Sequence, residues 1–258
     1  MLNKMRNNPA MVIMNSNHVT EQLVADAISY LGGSPLANDD ERDDETLVGL
    51  ASAVVINMGT TKKESHERAL RLGKVAKKLG KPVVFDPVGA GASNLRRLNA
   101  IDTMKQVQPE VVRGNLSEIA ALLMNEQSAL GIDSTSHANA VQVAKAYAKQ
   151  EEVWVVISGE VDVVTDGETV YELRNGHPYL SVNVGMGDVL DAILALGLAH
   201  GVSLEDLAKV ASILTVAADL AIERDDVHGP ATFRNAVFDY LATLSDATLA
   251  KLANIKVL

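Results

Sequence analysis

The sequence predicts one α/β domain over residues 1–258, a mostly parallel central sheet flanked by helices on both faces. Three observations lead there. Short β-branched runs ending in Gly, Pro, Asn or Asp alternate with longer helical patterns, which is how successive βαβ units read in a sequence. Hydrophobic residues make up 47% of 258, enough to bury a sizeable core, so a disordered chain is excluded. No Pro/Gly/Ser-rich linker divides the chain into separate units.

In order, the predicted strands are AMVIM (10–14), AVVIN (53–57), VVFD (83–86), VVR (111–113) and VWVVIS (153–158). VDVVT (161–165), TVYEL (169–173) and YLSVN (179–183) follow, and the turn residues Gly159 and Asp166-Gly167 make this cluster an antiparallel hairpin edge. Residues 64–79 place Ala69, Leu72, Ala76 and Leu79 on one stripe, as a helix covering a sheet requires. From Asp188 to about Leu249 the pattern is helical, with breaks at Gly201-Val202-Ser203 and His228-Gly229-Pro230. The acidic stretch Asp39 to Glu45 reads as a solvated loop or helix start.

Composition removes several function classes. Twenty-three basic against 33 acidic residues leave a charge of −10, and aromatics are 3%, so neither a polyanion nor stacked bases are expected partners. Cysteine is absent, which excludes disulfides, thiol nucleophiles and thiolate zinc sites and fits a cytoplasmic protein. No uninterrupted apolar run is long enough to span a membrane, so no membrane partner is expected.

The chemistry-bearing residues cluster where strands end. Gly185-Met186-Gly187-Asp188 follows YLSVN and opens a long apolar helix. Glycines at such a turn let backbone N–H groups converge on an anion, with the helix terminus adding positive charge. A carboxylate at Asp188 could then accept the proton of an attacking alcohol, although Asp is also favoured near helix starts for capping alone. Asp86-Pro87-Val88-Gly89-Ala90-Gly91 puts a second carboxylate at the carboxyl edge of the sheet, where open α/β folds bind ligands. In Arg113-Gly114-Asn115-Leu116-Ser117-Glu118, Arg113 can neutralise a phosphate and Glu118 can hold Mg²⁺ through water. Asn115 and Glu118 equally have the spacing of a capping box. Ser158-Gly159-Glu160 offers a hydroxyl beside these groups.

The succession SNHVT, GGSPLA, INMGT, VVFDPVGAGAS, VVRGNLSEIAAL, VVISGEVDVVTDGE, VGMGDVLDAILALGLAHG and HGPATF resembles hydroxyethylthiazole kinase, a member of the ribokinase-like superfamily, over roughly residues 12–240. The resemblance implies a ribokinase-like fold, ATP with Mg²⁺, phosphorylation of a primary alcohol, and a homotrimer with sites at subunit interfaces. Carried over by position, it implies a catalytic Asp188 with Gly185 and Gly187. It further implies metal carboxylates at Asp86 and Glu118, and Arg113, Asn115 and Ser158 at ATP. Asn17, Val19, Ala37, Gly59 and Gly185 would face the substrate.

Departures from the family pattern bear on the substrate more than on the reaction. The usual GTGC turn is GMGD, which restores the acid that the wider superfamily uses as base. The ITN segment reads Asn15-Ser16-Asn17, and the Met of the SPxM turn is Ala37, both consistent with a wider or more polar pocket. GPGSF reads Gly229-Pro230-Ala231-Thr232-Phe233. Two alternatives remain open from sequence: a ribokinase-like kinase of another small alcohol, and a catalytically silent nucleotide-binding protein.

Overall fold

The computed structural model describes residues 1–38, 40–123 and 137–258; Asp39 of the acidic stretch lies outside them. Among the described residues, nine strands form one sheet. They are β1 (Met11–Asn15), β2 (Ser34–Ala37), β3 (Ala53–Asn57), β4 (Val83–Asp86), β5 (Val111–Asn115), β6 (Trp154–Ser158), β7 (Asp162–Thr165), β8 (Val170–Leu173) and β9 (Ile255–Val257). Their order is β2-β1-β3-β4-β5-β6-β7-β8-β9, parallel from β2 to β6 and antiparallel from β6 to β9.

Side chains alternate across each strand, and here both faces are covered, so the strands read as continuous apolar runs. On β3, Val55 joins the core under helices Glu21–Tyr30, Met186–Ala199, Leu204–Ile222 and Pro230–Thr243. Its neighbours Val54 and Ile56 join the opposite core, under Lys63–Leu79, Asn94–Val107 and His137–Glu151. Lys63–Leu79 buries Ala69, Leu72 and Ala76 as its stripe predicts, with Leu79 half-buried. Met186–Ala199 packs against β1, β3 and β4 below and Leu204–Ile222 above, so it is apolar nearly all round.

Three expectations from sequence need correction or addition. YLSVN is a helical turn, Tyr179–Val182, with Ser181 Oγ and Asn183 N donating to Pro178 O and Tyr179 O at 2.7 and 3.2 Å. Pro178 (φ −54°) starts the turn, and the Tyr179 ring meets Phe233 and His177 edge-on at 5.6 and 4.8 Å. The glycine turn therefore follows a helical turn, not a strand. β2 escapes a sequence reading because it is short, half-exposed and contains Pro35, which an outermost strand tolerates. β9, three residues long, pairs with β8.

The acidic stretch is a helix start. Asp40 accepts from Arg42 N at 3.0 Å and Glu45 pairs with Lys78 at 2.8 Å, while Asp44 is buried against Arg71 at 3.1 Å. Among the described residues no helix is long and apolar enough to cross a membrane.

Candidate active site

Parallel pairing brings the carboxyl ends of β1, β3, β4, β5 and β6 to one edge. Asn57 lies opposite Asp86, and Asn115 opposite Ser158. The helix Met186–Ala199 points its N-terminus at that edge and delivers Asp188 in its first turn.

Asp188, 9% exposed, is held by neutral donors. Its Oδ2 accepts from Asn17 Nδ2 at 2.8 Å and from the Thr20 hydroxyl, and its Oδ1 accepts from Asn57 Nδ2 at 3.1 Å. The Asn57 amide also donates to Asp86 Oδ2 at 3.1 Å, and its carbonyl oxygen accepts from Gly59 N at 2.9 Å and Asn17 Nδ2 at 3.2 Å. A side-chain amide between two carboxylates orients both without neutralising either.

Arg113 supplies the positive charge. Its Nη1 donates to Asp86 Oδ2 at 3.0 Å and its Nη2 to Ser158 Oγ at 2.7 Å. Burial would lower its pKa, but Asp86 and Asp191 outweigh burial and hold it above the ordinary value, so the guanidinium stays charged. For Asp86, burial dominates over Arg113 and raises the pKa; for Asp191, burial and then the neighbouring Asp86 also raise it.

Two glycines are required where they stand. Gly185 has φ +94°, and a Cβ there would lie 2.6 Å from Thr20 Cγ2. A Cβ on Gly187 would lie 2.4 Å from the Arg113 guanidinium nitrogens, so the helix start packs directly on the arginine. Glu118 and Asn115 form the capping box: Glu118 N donates to Asn115 Oδ1 at 3.0 Å, and Asn115 N to Glu118 Oε2 at 2.8 Å. Glu118 Oε1 also accepts from Gly89 N at 2.8 Å, tying the DPVGAG turn to this helix start.

Beside Arg113 opens a cavity of about 730 Å³, lined by Asn115, Ser158, Gly159, His177, Leu180, Met186, Gly187 and Thr215 among others. The loop forming its far wall is anchored from behind. Asp219 accepts from Asn175 Nδ2 at 2.7 Å and Gly176 N at 2.9 Å, and Asn254 N donates to Asn175 Oδ1 at 2.6 Å.

The structure thus brings together Asp188, Gly185, Gly187, Asp86, Arg113, Asn115, Ser158, Glu118, Asn17 and Gly59. Val19 and Ala37 stand apart: Val19 is 81% exposed, with its backbone N donating to Asn17 Oδ1 at 3.0 Å, and Ala37 is exposed beside Met14 at the end of β2. Asn15 is buried and lines a separate small cavity with Met58, Thr60 and His66. Sequence reasoning missed Thr20, Asn57 and Asp191. Asn57 had a readable signal, a polar residue ending a β-branched run as Asp86 does; so did Asp191, an acid one turn past Asp188 in an apolar helix.

Sheet order, with a glycine turn and a buried acid at the carboxyl edge, gives the ribokinase-like class of fold. The solved pyridoxal kinase from Staphylococcus aureus in complex with AMP-PCP and pyridoxal shares the fold, at TM-score 0.66 and 19% identity over 97% of this chain and 98% of that one. Within that class, the model for the hydroxyethylthiazole kinase family matches residues 2–247. Hydroxyethylthiazole kinases of Lactiplantibacillus plantarum and Brachyspira hyodysenteriae are 36% and 37% identical, covering 99% and 94% of this chain and 98% and 92% of theirs. The solved hydroxyethylthiazole kinase protein from Pyrococcus horikoshii superposes at TM-score 0.90, with 28% identity over 100% of this chain and 97% of that one. The chain belongs to the hydroxyethylthiazole kinase family.

Proposed function

We propose that the protein transfers the γ-phosphoryl group of ATP to the primary alcohol of hydroxyethylthiazole, the thiazole unit salvaged for thiamine. The observation that carries this reading is Asp188: a buried carboxylate fixed by Asn17, Thr20 and Asn57 at the start of a helix. As the alcohol oxygen bonds to phosphorus and the bond to the ADP oxygen breaks, Asp188 takes the hydroxyl proton. Arg113 and the N–H groups of the Gly185–Asp188 turn offset the charge on the phosphoryl oxygens.

Mg²⁺ belongs to this reading. Buried Asp86 Oδ1, with no donor among the described residues, suits a cation, and Glu118 stands behind it. When bound, the ion supplies positive charge to the triphosphate; Asp86 and Glu118 would hold it. The large cavity beside Arg113 and Ser158 suits the nucleotide.

A homotrimer completes the proposal. Val19, Val182 and Val184, exposed by 81%, 58% and 73%, flank the glycine turn and make an apolar rim that a neighbouring copy would cover, together with the exposed Ala37. Lacking cysteine, the chain suits a reducing cytoplasm, where we place it. With Ala37 in place of a longer side chain, a second small heterocyclic alcohol is the alternative substrate.

Incubation with ATP, Mg²⁺ and a panel of hydroxyalkyl heterocycles, followed for ADP, tests the proposal. Hydroxyethylthiazole is expected to be accepted, and Ala37→Met to narrow selectivity toward it. ADP release with another alcohol alone would select the alternative; release with none would leave a silent member of the fold. Light scattering is expected to give three times the mass of one chain, and a fully active monomer would remove the trimer.

A further inference from the structure

The carboxylate oxygens of the site differ in what they already hold. Glu118 has given both of its oxygens to backbone N–H groups, of Gly89 and Asn115. Asp188 has given both to Asn17, Thr20 and Asn57. Asp86 Oδ2 is taken by Asn57 and Arg113. What remains is Asp86 Oδ1 and both oxygens of Asp191, buried and without a donor among the described residues.

That remainder calls for an occupant. Asp191 is 0% exposed and sits one helical turn from Asp188, among buried Val189, Leu190, Ala192 and Ile193. Arg113 Nε stands 4.0 Å from its Oδ1, beyond hydrogen-bond reach. Three carboxylates therefore face one guanidinium where water does not reach Asp191, and buried charges of that kind are retained only when paired or ligating. One ligand oxygen from each of Asp86, Asp188 and Asp191 falls within 4.8 Å of the others. Oxygens on opposite sides of a hard cation at about 2.0–2.6 Å are separated by about 4–5 Å, so the spacing suits a divalent ion.

We propose that Asp191 joins Asp86 in holding a divalent cation directly, before nucleotide arrives, with Asp188 adding its charge nearby. The proposal deepens the metal part of the kinase reading and rests on it. The helix Met186–Ala199 then carries two acids with separate duties: Asp188 faces the substrate proton, and Asp191 faces the metal. Glu118, whose oxygens are already engaged, orients the turn around the ion and reaches it through water.

The test is Mn²⁺ titration of chelator-stripped, nucleotide-free protein, with free Mn²⁺ followed by electron paramagnetic resonance. The wild type is expected to bind one ion per chain. Asp191→Asn is expected to weaken that binding by about tenfold or more, on the scale at which losing a supporting group weakens metal sites. Glu118→Gln is expected to weaken it less than Asp191→Asn does.

Folding is controlled separately. Metal-free Asp191→Asn is expected to melt no lower than the wild type, because a buried negative charge is gone, while Mn²⁺ raises the wild-type melting temperature and not the variant's. Asp191→Ser, with the same expected loss, covers a failure of the Asn variant to fold. Absence of Mn²⁺ binding without ATP, or equal binding by wild type and variants, would overturn the proposal and leave a shared proton between Asp86 and Asp191. A wild type that binds Mn²⁺ as described yet forms no phosphoester supports the cation site and overturns only the kinase reading.

Discussion

Asp188→Asn is expected to lower turnover by about 10²–10⁴-fold, the usual contribution of a positioned base, with ATP binding nearly unchanged. The substitution keeps shape and removes basicity. Its structural side effects oppose each other. The new amide must point its NH₂ at Asn57, or at Asn17 and Thr20, all of which now donate to the carboxylate. Of these the Thr20 hydroxyl can turn to accept, whereas Asn17 or Asn57 could do so only by an amide flip that gives up its bond from Val19 N or Gly59 N. Against that, one of three crowded carboxylates loses its charge beside Asp86 and Asp191, which relieves repulsion. Steady-state kinetics with a thermal melt separates the two effects. Near-normal turnover with an unchanged fold would reduce Asp188 to a helix-start residue.

Arg113→Leu is expected to cost about 3–5 kcal/mol of stability, because it leaves Asp86 and Asp191 buried with no cation beside them. For a chain of this length that corresponds to a fall of roughly 6–20 °C in melting temperature. The deficit should depend on pH. A carboxyl whose folded pKa lies above its unfolded value binds more protons when folded, so stability falls as pH rises through the folded value. Asp86 already sits at about 7 with Arg113 present, and without it the pKa goes higher. The variant should therefore approach wild-type stability in mild acid and diverge from it as pH rises above neutral. Replacing Asp86 by Leu as well should restore much of the loss. A melting temperature within a few degrees of wild type at alkaline pH would show that Arg113 offsets no buried charge.

Much of this was legible in the sequence, for physical reasons that can be named. Seven strands announce themselves because β-branched runs buried on both faces leave little ambiguity, as AVVIN and VVFD show. The stripe of Lys63–Leu79 reads directly from period 3.6. β2 and β9 carry no such signal: one contains Pro35 and half-exposed side chains, and the other is three residues long. YLSVN misleads because Tyr and Val favour strands, and the outcome is settled by Pro178 and by Phe233, far along the chain.

The site divides the same way. Asp86, Arg113, Asn115, Ser158 and Asp188, which the structure gathers at one edge, could be picked out because each sits at or beside a boundary between predicted elements, where a polar side chain serves no packing need. Glu118 and Asn115 form a capping box whose acid also accepts from Gly89 N in the turn that follows Asp86. Thr20 meets Asp188 across 168 residues, which no local pattern reveals, and Asn57, although it ends its strand as Asp86 does, meets Asp188 across 131. Ala37 stands apart from these residues, exposed at the end of β2.

The most direct measurement is phosphorus NMR of the wild-type protein with ATP, Mg²⁺ and hydroxyethylthiazole. A phosphomonoester resonance growing in step with ADP, absent without the thiazole and lost in Asp188→Asn, is the predicted result. Inorganic phosphate in place of the phosphoester, or a phosphoester formed equally by Asp188→Asn, would contradict direct transfer to an alcohol deprotonated by Asp188.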